Sequence, residues 1–228
     1  MNTIKRKMLS IFASFVEKKN GAVLFYNREG EAKAFELIRK VKNETGMLLK
    51  NDEAYTVYSL AKKAMKIEGD IAEVGVYRGG SARLILDARG SKEKSIYLFD
   101  TFEGLPALSK SDNPLHFAES QFPASFEEVK KQFASHKNVF LYKGLFPSTA
   151  APIESKKFAF VNLDTDLYES TKECLEFFYP RMNCGGIILT HDYPKAIGVK
   201  KAFDEFFERK EEIVLEAPSR QQGFVIKL

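Results

Sequence analysis

The feature that most constrains the fold is an alternation of two hydrophobic patterns along the chain. Short apolar runs are typical of buried parallel strands, and most segments between them have the spacing of amphipathic helices. Strands that alternate with helices favour right-handed crossovers, so we predict an α/β fold with a doubly wound sheet. The predicted core strands are residues 71–76, 95–100, 139–143, 158–163 and 186–190, and the predicted helices are residues 81–88, 126–134, 168–178 and 199–209.

The two ends of the chain depart from this alternation. Residues 213–216 and 224–227 are strand-like runs joined by a short polar segment, which predicts a C-terminal antiparallel hairpin at the sheet edge. Residues 31–42 and 53–65 have helical spacing and many charges, as in a helical cap or an oligomerisation element. We therefore expect an N-terminal helical cap that forms one domain with the core, and N-terminal helices through which a homo-oligomer can form. The expected division is residues 1–68 for the cap and residues 69–228 for the core.

Composition narrows the classes of function. The chain has 35 Lys and Arg against 31 Asp and Glu, a net charge of +4, which is too weak to indicate a nucleic-acid partner. Residues 8–16 follow three basic residues, like the start of a signal peptide, but their helical spacing and the lack of a small-residue cleavage site favour an amphipathic helix. We expect no membrane span and a cytoplasmic location.

A glycine-rich block follows the first predicted core strand and opens the next helix. Glycines at such a junction let the backbone approach a ligand closely, and the helix start offers free N–H donors. The spacing is not G-x-G-x-x-G, which argues against a dehydrogenase. Glu73, before the turn, suits a cationic ligand better than a pyrophosphate, and S-adenosylmethionine carries both a sulfonium and an ammonium group. A tight packing turn without a ligand is the alternative. The block reads Glu73-Val74-Gly75-Val76-Tyr77-Arg78-Gly79-Gly80-Ser81.

Polar side chains stand at the ends of three further predicted strands. Asp100 ends the second strand, where a carboxylate can accept hydrogen bonds from both ribose hydroxyls of a nucleoside. Asp164 and Asp166 follow the fourth strand, and His191 and Asp192 follow the fifth. Because the carboxyl ends of parallel strands share one crevice, we expect these groups to converge and to be able to hold a divalent cation. Helix-cap or turn chemistry is the alternative for Asp166 and Asp192.

A long segment between the second and third predicted strands has no clear periodicity. Residues 104–125 contain three prolines, and long irregular segments in compact domains are often lids or binding loops. A disordered surface insertion is the alternative. Within the segment, His116 is a candidate for contact with a substrate.

Four blocks of the sequence resemble the macrocin O-methyltransferase family of S-adenosylmethionine-dependent enzymes, which act on sugar hydroxyls of secondary metabolites. The resemblance extends from about Thr45 to the C-terminus. It implies a Rossmann-like class I methyltransferase sheet with a C-terminal antiparallel hairpin. Besides the glycine-rich block, which many methyltransferases share, the blocks are residues 99–106, the more specific D-x-D-x-Y-E-S-T motif at residues 164–171, and His-Asp-Tyr at residues 191–193.

The resemblance also implies roles for individual residues. Asp164 would be a ligand of Mg²⁺ or Mn²⁺, and Asp166 would be the general base. The pair His191-Asp192 stands where two acids are usual in the family, so His191 is a metal ligand, a base or a structural residue. The expected cofactor-binding residues are Glu73, Gly75, Tyr77, Arg78, Gly79, Ser81, Asp100, Thr101 and Phe102; the expected metal ligands are Asp164, His191 and Asp192; and the expected catalytic residues are Asp166 and His191.

The function predicted from these features is S-adenosylmethionine-dependent O-methylation of a sugar hydroxyl on a small molecule or glycan. Two other classes remain open. Residues 164–166 form a D-x-D, the metal and nucleotide-sugar signature of one glycosyltransferase fold. A non-catalytic S-adenosylmethionine-binding protein is the other alternative, although a scaffold has no need of a convergent carboxylate cluster.

Overall fold

The computed structural model describes residues 16–19, 22–25 and 29–228, with side chains from residue 32 onward. Two short strands, β1 (Val16–Lys19) and β2 (Ala22–Phe25), pair antiparallel and were not expected from the sequence. The helix predicted over residues 8–16 lies outside the described residues, except for its last position, which begins β1.

A seven-stranded sheet forms the centre of the fold. Its strand order is β5-β4-β3-β6-β7-β9-β8. Strands β3 to β7 run parallel, and β9 pairs antiparallel with both β7 and β8, so the predicted doubly wound sheet and its C-terminal hairpin are confirmed. The strands are β3 (Asp70–Val74), β4 (Ile96–Asp100), β5 (Val139–Lys143), β6 (Phe158–Leu163), β7 (Met182–His191), β8 (Leu215–Glu216) and β9 (Gln222–Ile226).

Helices cover both faces of this sheet. The alternation of side chains along a strand explains why: in β4, Ile96 and Leu98 pack with α1 to α4, whereas Tyr97 and Phe99 pack with α5 and α6. The predicted helices of the core and of the cap are confirmed, and the ends of the core helices differ from the prediction by at most two residues. The helices are α1 (Glu29–Thr45), α2 (Asn51–Ala64), α3 (Gly80–Arg89), α4 (Phe126–Phe133), α5 (Tyr168–Phe178) and α6 (Ile197–Phe207).

The N-terminal helices α1 and α2 belong to the same packed body as the sheet. Ile38 of α1 and Val57 of α2 are buried in one hydrophobic cluster with Ile71 and Phe160 of the sheet. The division into a cap and a core at residue 69 and the homo-oligomer stay predictions. Among the residues that the structure describes, no helix is long and apolar enough to cross a membrane.

The strand order reverses next to β3, because β4 and β5 lie on one side of it and β6 to β9 lie on the other. At such a point the connections leave in opposite directions and open a crevice at the carboxyl ends of the strands. Strand β3 ends at Val74, two residues before the predicted end, because Gly75 turns the chain with a φ of +87°. This turn and the loops after β4, β6 and β7 therefore meet at one end of the sheet.

Candidate active site

A cavity of about 370 Å³ lies at the carboxyl end of the parallel strands. Its wall includes the glycine turn after β3, the loops after β4, β5, β6 and β7, the loop between α1 and α2, and part of the 104–125 segment. The predicted cofactor, base and metal residues thus lie at the same end of the sheet, although not all of them line the cavity. Those that line it are Gly75, Tyr77, Ser81, Asp100, Thr101, Asp164, Asp166, His191 and Asp192.

Gly75 brings the turn after β3 against the loop after β6. A Cβ atom at this position would lie 2.0 Å from the backbone oxygen of Asp164, so a side chain cannot be accommodated without moving the backbone. The Asp164 N–H donates to the Val74 oxygen at 2.9 Å and fastens the same two loops together. The close approach therefore places the first acid of the D-x-D beside the glycine turn.

Nearby backbone N–H groups use most of the hydrogen-bond acceptor positions of the Asp100 carboxylate. Its Oδ2 accepts the N–H groups of Val76 and Tyr77, both at 2.7 Å, and its Oδ1 accepts the N–H of Phe102 at 2.6 Å. Because a carboxylate oxygen offers two lone pairs, these bonds fill Oδ2 and leave one acceptor position on Oδ1. In this structure Asp100 fastens the glycine turn, and the expected contact with ribose hydroxyls stays a prediction.

Four of the predicted cofactor residues lie away from the cavity wall. Glu73 is fully buried beneath it, where its Oε1 accepts the Asn162 amide at 2.7 Å. Arg78 is exposed, with its guanidinium 5.1 Å from the centre of the Tyr77 ring. Gly79 faces the side chains of α4, and Phe102 is buried in an edge-to-face contact with Phe126 at 5.3 Å.

The burial of Glu73 has a strong electrostatic consequence. Burial raises the pKa of Glu73 from 4.5 to about 8, and the nearby Asp164 and Asp100 add to the increase. Hydrogen bonding to the side chains of Ser81 and Asn162 opposes the shift without cancelling it. Glu73 is therefore mainly neutral at pH 7 in the absence of a cationic ligand.

The acids after β6 and β7 surround the His191 ring. Its Nδ1 lies 3.3 Å from both Asp164 Oδ1 and Asp192 Oδ2, and the two carboxylates are a quarter exposed or less. One potential ligand atom from each of these three residues lies within 4.8 Å of the others, a spacing that can hold a metal ion. Asp166 and Asp192 have φ angles of +60° and +58°, which an aspartate adopts more readily than most residues.

This concentration of negative charge raises the pKa values of two of the acids and of the imidazole. Burial, together with the Asp192 and Glu53 carboxylates, raises the pKa of Asp164 to about 6, although His191 opposes it. Burial and the carboxylates of Asp164 and Asp192 raise the pKa of Asp166 well above its usual range. Although burial opposes it, the same carboxylates raise the pKa of His191 well above 6.5. Such a cluster favours a bound cation, because burial removes the hydration that stabilises the negative charges of the carboxylates.

Apolar residues from other parts of the chain also line the cavity. Leu48 and Leu49 reach it from the loop between α1 and α2, and Phe117 and Phe122 reach it from the 104–125 segment. His116 is exposed and is not part of the cavity wall. These apolar contributions were not predicted, because an isolated leucine or phenylalanine in an irregular segment carries no signal that separates a cavity wall from a core.

Glu53 is the charged residue near this site that sequence reasoning missed. It lies in the first turn of α2, is 3% exposed, and places Oε2 3.6 Å from His191 Nε2. Its position three residues after Lys50 at the start of a helix is a helix-start signal, which indicates a cap rather than a site. Only the packing of α2 against β7 brings it to His191.

The chain is similar in sequence to known methyltransferases. Residues 57–218 match the family model described as Macrocin-O-methyltransferase (TylF). The chain is 32% identical over 155 residues to demethyldecarbamoylnovobiocin O-methyltransferase of Streptomyces niveus, covering 61% of the chain and 58% of that protein. It is 31% identical over 140 residues to 8-demethyl-8-(2,3-dimethoxy-alpha-L-rhamnosyl)-tetracenomycin-C 4'-O-methyltransferase of Streptomyces olivaceus, covering 56% and 54%. The chain thus spans a little over half the length of the curated relatives it matches.

A solved structure is similar to this chain over most of its elements. The structure of the O-methyltransferase NovP has a TM-score of 0.68 and 25% sequence identity over 79% of this chain and 81% of that one. The class I methyltransferase fold predicted from the sequence is therefore confirmed. Since the family model covers well over half of its residues, the chain belongs to the macrocin O-methyltransferase family.

Proposed function

We propose that the chain is an S-adenosylmethionine-dependent O-methyltransferase that acts, with a divalent cation, on a hydroxyl of a sugar unit in a small molecule or glycan. The observation that carries the proposal is the shared cavity. The glycine turn after β3 forms part of its wall, and the cluster of Asp164, Asp166, His191 and Asp192 forms another part. The family supports the activity, and the tetracenomycin relative, whose name includes a rhamnosyl group, supports a sugar acceptor.

The cavity fits S-adenosylmethionine by its charge and by its backbone. When bound, the cofactor supplies a methyl group already activated by its sulfonium, so the protein need not activate the donor. Gly75 and Tyr77 lie in the cavity wall, Ser81 lies in the first turn of α3, and helix starts offer free N–H groups. The carboxylates of Asp100 and Asp164 face the same space and favour a positively charged ligand over an anionic one.

The acid cluster fits a divalent cation. Asp164, His191 and Asp192 would hold it through one imidazole nitrogen and two carboxylate oxygens, a mixed set that suits Mn²⁺ better than Mg²⁺. When bound, such an ion lowers the pKa of a substrate hydroxyl. With these three groups engaged, Asp166 is the carboxylate of the cluster that is left to accept a proton.

Asp166 would act as the general base. It borders the cavity in the turn after β6, within the D-x-D-x-Y-E-S-T motif. Its neighbours disfavour an additional negative charge, so Asp166 holds a proton more strongly than an exposed aspartate, as a base for a hydroxyl requires. The apolar wall from the α1–α2 loop and the 104–125 segment would exclude water from the acceptor and align its oxygen with the methyl group.

Ligand-induced thermal stabilisation, measured after removal of metal with EDTA, tests the proposal. We expect S-adenosylhomocysteine to raise the melting temperature, and Mn²⁺ to raise it further, more than Mg²⁺ or Zn²⁺ does. Asp164→Ala should lose the Mn²⁺ effect and the turnover of a sugar-bearing acceptor, but keep the effect of S-adenosylhomocysteine. Stabilisation by sugar nucleotides without any effect of S-adenosylhomocysteine would favour the glycosyltransferase instead, and binding without methyl transfer to any sugar acceptor would favour a non-catalytic role.

A further inference from the structure

A carboxylate that the proposed mechanism does not use lies on the far side of the His191 ring. Glu53 places Oε2 3.6 Å from His191 Nε2, while His191 Nδ1 lies 3.3 Å from Asp164 Oδ1 and from Asp192 Oδ2. The imidazole therefore stands between Glu53 and the acid cluster. One nitrogen faces the proposed cation site and the other faces the first turn of α2.

The Glu53 side chain is held in place by the start of its own helix. Its Oε2 accepts the backbone N–H of Lys50 at 2.7 Å, and the Lys50 ammonium lies 3.5 Å from Oε1. This is a capping contact, in which the third residue of a helix reaches back to the N–H that precedes it. Because both ends of the carboxylate have partners, its direction towards His191 is set by the helix cap.

The backbone of Glu53 is tied to the strand that pairs with His191. The Gln222 side chain donates to the Glu53 backbone oxygen at 3.3 Å, and Gln222 lies directly opposite His191 in the antiparallel pairing of β9 with β7. Glu53 and Gln222 are both buried. This hydrogen bond fastens the start of α2 over His191.

The remaining nitrogen of His191 needs an acceptor. Nε2 is buried and makes no hydrogen bond to any residue that the structure describes, and the 3.6 Å to Glu53 is longer than an ordinary hydrogen bond. Contacts of this kind are often long in a ligand-free site and shorten when it is assembled. A metal-bound histidine donates its second N–H to a carboxylate or carbonyl, which sets the orientation of the ring.

We propose that Glu53 is a positioning residue that holds the His191 ring with Nδ1 turned towards Asp164 and Asp192. As far as metal binding is concerned, the inference rests on the proposed function. The contact between Glu53 and His191 also explains how a histidine can stand where the family usually has an acid. In the metal-bound state the imidazole would be neutral, and Glu53 behind it would supply the negative charge that the ring lacks, from α2 rather than from the β7 loop.

A double-mutant cycle on Mn²⁺ affinity tests this coupling in the full chain. Glu53→Gln keeps an oxygen for the Lys50 N–H but removes the charge, and we expect it to weaken Mn²⁺ binding about tenfold while the affinity for S-adenosylhomocysteine changes less than about twofold. In a His191→Asp background the same substitution should leave Mn²⁺ affinity unchanged or increase it, because the imidazole is gone and two carboxylates would face each other. An equal loss in both backgrounds would mean a merely structural role and would overturn the proposal.

A metal-free measurement keeps the inference independent of the cation. In a ¹⁵N-labelled sample, we expect the His191 Nε2–H proton to be protected from exchange with water, and Glu53→Gln to speed its exchange about tenfold or more, a change comparable to the loss of one hydrogen bond to a charged group. Ser125→Ala, which removes the cap of α4 away from the site, is the matched control and should not change it. If the unaltered protein binds S-adenosylhomocysteine but no Mn²⁺, the metal part of the proposed function fails, and this exchange experiment alone decides the role of Glu53. If the Nε2–H proton is protected equally in Glu53→Gln and in the unaltered protein, the positioning role of Glu53 is overturned.

Discussion

Asp112 caps a helix that begins 56 residues after it: its Oδ1 accepts the backbone N–H of Tyr168, the first residue of α5, at 2.8 Å. Its Oδ2 accepts the N–H and the hydroxyl of Ser109, at 2.9 and 2.6 Å. The residue at the helix's own cap position, Leu167, has no side-chain acceptor. The 104–125 segment therefore supplies what α5 lacks, directly beside the loop that carries Asp164 and Asp166.

We expect Asp112→Ala to destabilise both the 104–125 segment and the start of α5. Loss of a helix cap costs about 1 kcal/mol, which corresponds to a decrease of roughly 2–4 °C in melting temperature for a chain of this size. Amide exchange should increase in residues 104–125 and at the start of α5. Asp112→Asn, which keeps the acceptor oxygen, is the control and should show a smaller change. Unaltered exchange in the Ala variant would mean that the segment is held by other contacts.

The close approach at Gly75 predicts a large effect of a single methyl group. Gly75→Ala would place its Cβ 2.0 Å from the Asp164 backbone oxygen, whereas Gly90→Ala, also at a positive φ, would meet nothing within 4 Å. We expect the Gly90 variant to lose roughly 1–3 kcal/mol from backbone strain alone. The Gly75 variant should lose this and a further 1–3 kcal/mol or so from the overlap, or fail to fold. Denaturant unfolding compares the two, and equal losses would contradict the contact.

The buried Glu73 predicts a particular dependence of stability on pH. Its pKa rises on folding from 4.5 to about 8, so the folded state binds the proton more tightly than the unfolded state does. Its contribution to stability is therefore complete below pH 4.5 and is lost as the pH rises through about 8. The difference in unfolding free energy between the unaltered protein and Glu73→Gln should shift in favour of the variant over this range. Parallel curves for the two proteins would mean that Glu73 is ionised in the folded state.

Asp166→Asn tests the general base. The amide keeps the size of the side chain but cannot accept a proton, so we expect kcat to fall by about 10²- to 10⁴-fold. The affinity for S-adenosylhomocysteine, measured by calorimetry, should change little, because the base acts on the acceptor and not on the donor. Retention of most of the activity would assign the proton to another group, of which His191 is the first to examine.

Sequence reasoning succeeded where a pattern is local. Strand β6 and helix α5 have the predicted ends, because a continuous apolar run and a helical repeat are each specified by adjacent residues. The convergence of Asp164 and His191 was also predictable, since parallel strands place their carboxyl ends at one edge. The short strands β1 and β2 were not predicted, since they lie in a stretch that was treated only as helical.

Contacts between distant segments could not be predicted in this way. The ribose contact expected of Asp100 stays a prediction, but its three bonds to backbone N–H groups were not foreseen. Glu73 was expected to face the ligand, but the alternation of β3 turns it to Asn162 beneath the cavity. Neither position can be read from the order of residues, because each depends on which atoms a second strand or turn brings within bonding distance.

By itself, the amino-acid sequence determined the order of strands and helices in the core, the family, and the residue types that meet at the carboxyl edge of the sheet. These follow from hydrophobic periodicity and from short motifs, which act over a few neighbouring residues. Only the tertiary structure decided which partner each polar group finds: Glu53 behind His191, Asp112 at the start of α5, and the Asp164 backbone against Gly75. Hydrogen bonds and charge pairs act over a few ångströms, so their partners are selected when packing brings distant parts of the chain together.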